Sequence, residues 1–288
     1  MISVSVSVVS YYSASASLSK TIRSLAAASA KAQCATHLTV VDNSERCADT
    51  QRLSTLLRKE AEQGSLIGLS SLYLQQSGEN IGYGRANNLA QHRVLHPAQP
   101  PRQNKTSPAP DYVLILNPDV DLDIDALSNA FEFMAGHPDC VLLTPRSVDA
   151  TGRDLFLNHA HPSILALLGR AISPLESIGP VGRAVDRYEL RKHPVDQGHD
   201  NTVCASGCFM LFRQSAFAQS GGFEPAYFLY FEDYDLSMRI RQIGAVNYVP
   251  AVSLTHLGGG AAWKGFKHRV MFITSAFRFF QRHGWRWA

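Results

Sequence analysis

Ile2, Val4, Val6 and Val8 alternate with Ser3, Ser5 and Ser7, and this period of two predicts a strand over Ile2–Tyr11. A helix rich in Ala and Leu is predicted over Leu18–Lys31. His37–Val41 reads as a short apolar strand that ends where Asp42-Asn43-Ser44 turn the chain. Thr50–Gln63 is helical in pattern, with Leu53, Leu56 and Leu57 on one side and charges on the other. A third strand is expected over Leu66–Leu74 and another helix over Gly84–Val94. Pro97, Pro100, Pro101, Pro108 and Pro110 then predict a surface loop between His96 and Asp111. The rhythm resumes with a buried-type strand at Tyr112–Leu116, a polar turn at Asn117–Asp123, a helix near Ile124–Ala135 and a strand at Val141–Thr144. The stretch Thr151–Asn201 is irregular and is expected to frame a second substrate. Val203–Arg213 predicts a further strand, and Phe231–Ile243 a helix opened by Glu232 and Asp233. No internal repeat is visible.

Strands alternating with helices predict a mostly parallel sheet covered by helices on both faces. In such sheets ligands bind beyond the carboxyl ends of the strands, which places Asp42 and the Asn117–Asp121 turn on one edge. The size agrees with one large α/β domain: 288 residues, 45% of them hydrophobic and 18% charged. That mixture excludes a disordered or fibrous chain, and a formal net charge of +3 does not call for a nucleic-acid partner. No stretch approaches the length of apolar sequence that a membrane-spanning helix needs. The first nineteen residues are uncharged but strand-periodic, with no basic segment before them, so no signal peptide is expected. Five cysteines without metal-type pairs predict no disulfide framework and fit a reducing, cytoplasmic setting, with Cys204 and Cys208 as buried thiols.

Three segments carry candidate chemistry. In Leu116-Asn117-Pro118-Asp119-Val120-Asp121, carboxylates two apart at a strand end can converge on a divalent cation that also holds phosphate. The same residues also make ordinary turns and helix caps. In Phe231-Glu232-Asp233-Tyr234-Asp235-Leu236, crowded carboxylates raise one another's pKa toward the range of a general base. A helix whose first turn is acidic satisfies the macrodipole in the same way. His256, ahead of Gly258-Gly259-Gly260, is either a metal ligand under a closing loop or a hydrogen-bonded structural residue. The glycine run lacks the residues of a phosphate-binding Walker loop, and no Gly-x-Gly-x-x-Gly follows the first strand, which argues against a dinucleotide-dependent enzyme.

Taken in order along one α/β frame, Asp42, Asn80-Ile81-Gly82-Tyr83-Gly84 with Asn87, the Asn-Pro-Asp turn, the Glu-Asp helix start and His256 resemble the inverting family 2 glycosyltransferases. Within these, the chain is most similar to the rhamnosyltransferase-like bacterial enzymes. The most specific part runs from Ser206-Gly207-Cys208-Phe209-Met210-Leu211-Phe212-Arg213 through Gly221-Gly222-Phe223-Glu224 to the Phe228–Leu236 segment. The resemblance implies a GT-A fold: a Rossmann-like nucleotide-binding half over 1–121, an acceptor-binding and catalytic half over 122–262, and a basic amphipathic helix over 263–288. It implies nucleotide contacts from Ser10, Tyr12, Asp42, Asn80, Gly82 and Asn87, with Asp42 reading a pyrimidine base. It implies a Mg²⁺ or Mn²⁺ held by Asp119 and His256, Asp233 as the catalytic base, and Glu232 in the acceptor pocket. Two positions depart from the family pattern. Ser10-Tyr11-Tyr12 stands where Thr-Tyr-Asn is usual, and Asn117 replaces the first Asp of Asp-x-Asp, which either brings Asp121 in as a further metal ligand or leaves the ion weakly held.

The implied activity is metal-dependent transfer of a sugar, rhamnose by the subgroup, from a dTDP- or UDP-linked donor to a saccharide or lipid-linked acceptor of a cell-surface polysaccharide. The alternative is a nucleotide-sugar-binding module without catalysis. Lys264, Lys267, Arg269, Arg278, Arg282 and Arg286 stand among eight aromatic residues in Trp263–Trp287. Such a helix lies on the inner face of an anionic membrane or packs on the core with a solvated basic side.

Overall fold

The computed structural model describes residues 1–96, 109–172, 174–175, 178–258 and 265–288. The proline-rich loop expected between His96 and Asp111 falls mostly outside them, and so do residues 259–264, which include the last two glycines of the Gly258–Gly260 run. Strands β1 (Ser3–Ser10), β2 (Ala35–Asp42) and β3 (Ser71–Gln76) alternate with helices α1 (Ser15–Ala32), α2 (Cys47–Glu62) and α3 (Tyr83–Ala90). A short helix α4 (His92–Leu95) precedes β4 (Tyr112–Leu116) and β5 (Val120–Leu122). Then come α5 (Ala126–Gly136), β6 (Cys140–Val148), β7 (Asn158–His159), α6 (Ile164–Ala171) and α7 (Gly179–Tyr188). The chain closes with β8 (Cys204–Ala205), β9 (Phe209–Arg213), α8 (Gln214–Ser220), α9 (Glu232–Ile240), β10 (Ala245–His256) and α10 (Gly265–His283).

Eight strands form one sheet in the order β3-β2-β1-β4-β9-β6-β10-β5. Neighbours pair in parallel from β3 to β4 and again between β6 and β10. β9 runs antiparallel to both β4 and β6, and β5 antiparallel to β10. Strands from both expected halves therefore share a single sheet.

The Val/Ser alternation of β1 has a specific cause. Val4, Val6 and Val8 are wholly buried in the main core, against Leu18, Ile22 and Leu25 of α1. The serine side is covered too: Ser7 Oγ donates to Asn87 Oδ1 at 2.6 Å and Ser5 Oγ to Gln91 Oε1 at 2.8 Å. Both faces of β1 are thus occupied, one by apolar packing and one by hydrogen bonds to α3 and the residue after it.

Several elements differ from the sequence expectation, which also did not include α8 and β10. The third strand starts at Ser71 because the preceding residues fold over α1, where a Cβ on Gly68 would lie 1.8 Å from the Ala26 carbonyl oxygen. The turn expected over Asn117–Asp123 contains β5, a three-residue strand that exists because β10 pairs with it. The strand expected over Val203–Arg213 is interrupted at Ser206-Gly207-Cys208. The irregular stretch Thr151–Asn201 holds β7, α6 and α7. Cys204 and Cys208 are buried free thiols, as expected.

Candidate active site

The carboxyl ends of β1, β2 and β4 frame a cavity of about 660 Å³. At the end of β2, Asp42 is 1% exposed, and its carboxylate is saturated within its own turn. Oδ1 accepts from the Ser44 N–H and hydroxyl at 3.1 and 2.6 Å, and Oδ2 from the Thr50 hydroxyl at 2.5 Å. Asp42 does not line the cavity; Asn43 does. Asn43 Oδ1 accepts the Ile81 N–H at 3.0 Å, and its Nδ2 donates to Asn80 Oδ1 at 3.0 Å, which also accepts the Gly82 N–H. Gly82 has φ +87°, and a Cβ there would lie 2.4 Å from the Phe228 carbonyl oxygen, so only glycine lets the backbone pass.

Of the six expected nucleotide contacts, Asn80 and Gly82 line this cavity and four do not. Asp42 is spent on its turn. Asn87 is buried and bonds Ser7 and the Tyr83 carbonyl, tying α3 to β1. Ser10 is buried at the strand end, and Tyr12, at φ +52°, donates its hydroxyl to Glu45 at 2.8 Å. Tyr11 and Ser13, on either side of Tyr12, face the cavity instead. A strand that turns out of extended geometry no longer alternates, so its side-chain directions past Ser10 do not follow a period of two.

The β5–β10 pairing builds the second part of the site. It sets His256 opposite Val120, which carries Asp119 alongside, and the Leu257 N–H donates to the Asp119 carbonyl at 2.7 Å. Asp119 Oδ1 lies 3.6 Å from His256 Nε2, and it is buried without a hydrogen-bond partner among the described residues. His256 Nδ1 bonds the Gly258 carbonyl, so in the neutral ring that nitrogen carries the proton and Nε2 is the atom left to face the carboxylate. Two acceptors facing each other this way are the donor set a hard or borderline cation takes. Asp121 is not part of it: its carboxylate pairs with Lys20 Nζ of α1 at 2.8 Å and lies off the cavity. Among the described residues no group of three His, Cys, Asp or Glu side chains is placed to hold a metal.

The third part is the start of α9. Tyr230 and Phe231 both take positive φ, at 69° and 64°, a costly pair of conformations that turns Glu232 and Asp233 inward. Asp233 Oδ2 accepts the Gly207 N–H at 2.9 Å and Oδ1 the Tyr234 N–H at 2.9 Å. Burial raises the pKa of Asp233 above the ordinary carboxylate range. Glu232 is raised by burial and by the charge of Asp233, and its Oε2 has no hydrogen-bond partner among the described residues. Asp235 belongs elsewhere. Burial pushes its pKa up, but His283, Arg239 and Arg282 outweigh that and hold it below the usual value, pinning α9 to α10.

Glu232 and Asp233 line a second cavity of about 260 Å³, whose far wall is Leu167, Arg170 and Ala171 of α6 and Tyr188 of α7. The irregular segment therefore supplies that wall. Tyr234 bonds both the Tyr188 hydroxyl and His159 Nδ1, and the Arg170 guanidinium lies over Tyr188 while pairing with Glu189 at 3.0 Å. The linings of the two cavities follow one another along the chain, Phe228 and Leu229 in the larger and Tyr230–Tyr234 in the smaller, and Tyr230 bonds His268 of the larger at 2.9 Å. They are also braced by one turn: the Asn117 N–H donates to the Cys208 carbonyl at 3.0 Å, and the Tyr83 hydroxyl to the Gly207 carbonyl at 2.7 Å. Sequence reasoning gave no role to Asn43, Gly207, Arg170 or Tyr188; Asn43 had a signal in the turn beside Asp42 and Gly207 in the segment that carries the family resemblance, and the other two had none.

No protein-family model matches the chain. It is 28% identical over 208 residues to the N-acetylglucosaminyl-diphospho-decaprenol L-rhamnosyltransferase of Mycobacterium tuberculosis, covering 68% of this chain and 64% of that protein. It is 31% identical over 186 residues to the rhamnosyltransferase WbbL of Escherichia coli, covering 62% of each. The chain thus spans a little under two thirds of these relatives. Among solved structures it is similar to the mannosyltransferase PcManGT of Pyrobaculum calidifontis in complex with GDP-Man and Mn²⁺, with TM-score 0.57 and 17% identity over 98% of this chain and 64% of that one. It is also similar to S. aureus TarS in complex with UDP-GlcNAc, with TM-score 0.54 and 15% identity over 97% of this chain and 67% of that one. These structural likenesses show an α/β fold of the GT-A type.

Proposed function

We propose that this chain, a member of the rhamnosyltransferase-like family 2 glycosyltransferases with a GT-A fold, transfers a sugar from a dTDP- or UDP-linked donor to a hydroxyl of a saccharide or lipid-linked acceptor. The sugar by kinship is rhamnose, and the product part of a surface polysaccharide. The observation that carries the reading is the pair of adjoining cavities: Asp119, with His256 beside it, at one and a carboxylate of raised pKa in the other.

The larger cavity takes the donor. Asn43, Asn80 and the Gly82 backbone lie along the nucleotide, with the amide of Asn43 at the place the resemblance gave to Asp42. Asp119 and His256 are the residues that would hold Mg²⁺ or Mn²⁺; when bound, such an ion neutralises charge on a diphosphate. The smaller cavity takes the acceptor, whose sugar ring packs against Tyr188, Tyr230 and Phe231, while Glu232 shapes the floor. Asp233 removes the proton from the acceptor hydroxyl as its oxygen forms the new bond to the anomeric carbon. The bond from that carbon to the diphosphate oxygen breaks on the opposite face, so the configuration inverts. The Gly207 N–H fixes Asp233 in place for this proton transfer.

Replacing Asp233 with Asn tests the assignment. Transfer is expected to fall by about 10²–10⁴, the usual worth of a positioned base, with donor binding by calorimetry unchanged. Transfer at the wild-type rate removes Asp233 as the base. The alternative of binding without catalysis predicts that the wild type binds donor with Mn²⁺ but releases no nucleotide diphosphate in the presence of acceptor.

A further inference from the structure

One side of α10 is covered and the other is not. Phe279, Phe280 and Ser275 are buried in an aromatic cluster with Tyr227 and Phe231, and the Ser275 hydroxyl donates to the Leu229 carbonyl at 2.8 Å. Phe266, Val270, Ile273 and Phe277 are 82, 46, 66 and 52% exposed, and Phe266, at the start of the helix, also lines the larger cavity. Their spacing of four, three and four residues puts them in one stripe along the helix. Trp285 and Trp287 extend the exposed apolar surface beyond its end. Large apolar stripes of this kind on a folded chain mark a docking surface.

The charge around the stripe says what docks. From Leu236 to Ala288 the chain has eight Lys and Arg and no Asp or Glu, whereas the preceding residues carry five more acidic than basic side chains. Arg286 is exposed, and Arg278 is held by the neutral Ala226 carbonyl and the face of Tyr227, so these charges are left for an outside partner, whereas Lys267 lines the larger cavity. Arg282 is already engaged by Glu224 and Asp235. A second copy of the chain would bring like charges together, whereas an anionic lipid surface complements them and takes tryptophan at its interface.

We propose that this face of α10 docks the protein on an anionic lipid bilayer, with the Asp233 cavity opening at the docked surface. Phe272 of α10 and Leu167 and Ala171 of α6 line that cavity, and the residues beside them, Ile273, Leu168 and Ile172, are exposed. On the transferase reading above, an acceptor with an apolar tail reaches Asp233 along this rim without leaving the lipid. No helix among the described residues is long and apolar enough to cross a membrane, and a helix of this kind lies in the plane of the interface.

The test is flotation of the full chain with phosphatidylcholine vesicles, with and without phosphatidylglycerol. The wild type is expected to float with the anionic vesicles, less so at high salt and least with phosphatidylcholine alone. Ile273→Ser with Phe277→Ser should lower partitioning by about tenfold or more, since each removes several buried methylenes from the interface. Its melting temperature and its binding of dTDP should stay as in the wild type. Val270→Ser with Ile273→Ser makes the same test without disturbing the Phe277–Trp285 ring contact. Wild-type protein that stays with the solution, or variants that float as well as the wild type, overturn the proposal. So does a wild-type dimer that the same substitutions split, since the face then binds its own copy. Flotation without any dTDP binding would leave the docking surface standing and remove the transferase reading instead.

Discussion

The backbone N–H of Gly207 donates to Asp233 Oδ2 across 2.9 Å, joining a turn between β8 and β9 to the first residues of α9. Gly207 also packs under Tyr83, where a Cβ would sit 3.1 Å from the ring, and the neighbouring Cys208 carbonyl accepts the Asn117 N–H. One three-residue turn therefore sets the separation between the carboxylate of the smaller cavity and the Asp119 loop of the larger.

Gly207→Ala should uncouple these parts. Its methyl pushes on Tyr83 and shifts the N–H that holds Asp233, so kcat is expected to fall by about tenfold or more while donor affinity stays within about twofold. Steady-state kinetics with the donor varied, set beside calorimetric donor binding, reads the difference. Equal losses in both would show that the turn serves the donor cavity alone.

The pH profile is set by the raised pKa of Asp233. A base must be deprotonated, so kcat should drop as pH falls through that value, with the inflection above the ordinary carboxylate range and not near pH 4. An acid limb at the usual carboxylate position would mean that Asp233 is solvated during turnover.

Stability should respond to Glu232 with a definite sign. Its folded-state pKa is raised, so the folded chain holds the proton more tightly than the unfolded one, and that contribution is lost as pH rises through the folded value. Glu232→Gln is therefore expected to raise the melting temperature by a few degrees, about 2–4 °C, at pH 8 and to do less at pH 5. Thermal melts of both proteins across this range settle it.

The Asp119–His256 pair predicts a metal dependence that Asp121 does not share. Asp119→Ala or His256→Ala should weaken dTDP binding in the presence of Mn²⁺ by about 10–100-fold and leave metal-free binding nearly unchanged. Asp121→Asn loses only its pair with Lys20 on the surface, an effect of about 0–1 kcal/mol on stability, with the metal response intact. Calorimetric titration with and without chelator distinguishes the three variants.

Adjacent residues of one turn should differ in one respect. Asp42→Ala strips the acceptor from three buried or part-buried donors and is expected to destabilise the fold by about 2–3 kcal/mol, with no direct effect on nucleotide binding. Asn43→Ala, which takes the partner from the Ile81 N–H, Ser77 and Asn80, should cost stability as well and in addition weaken nucleotide binding. Urea unfolding and dTDP titration of each variant provide the comparison.

Local pattern determined a great deal of this protein. The period of two in β1, the apolar side of α2 and the buried-type run at Tyr112–Leu116 announced an α/β sheet, because burying one face of an element leaves its period in the order of residues. The same local logic marked the Asn117–Asp121 turn, the Glu232–Asp235 cluster and His256 as candidates, while the roles of Asp119, Asp233 and His256 came from the family resemblance. What it left open depends on partners distant in sequence. Asp42 was legible as an acidic turn residue, but whether its carboxylate faces a ligand or its own turn depended on Thr50 and Ser44 filling its acceptor sites. Asp121 became a partner of Lys20 only when β10 drew Val120–Leu122 into the sheet. The wall of the smaller cavity, α6 and α7, has little periodicity because its helices pack partly on one another and partly on the cavity. The chain's order of residues determined which groups carry protons and charge; the pairing of strands far apart along it decided which of them meet, since hydrogen-bond register acts between segments and leaves no mark within one.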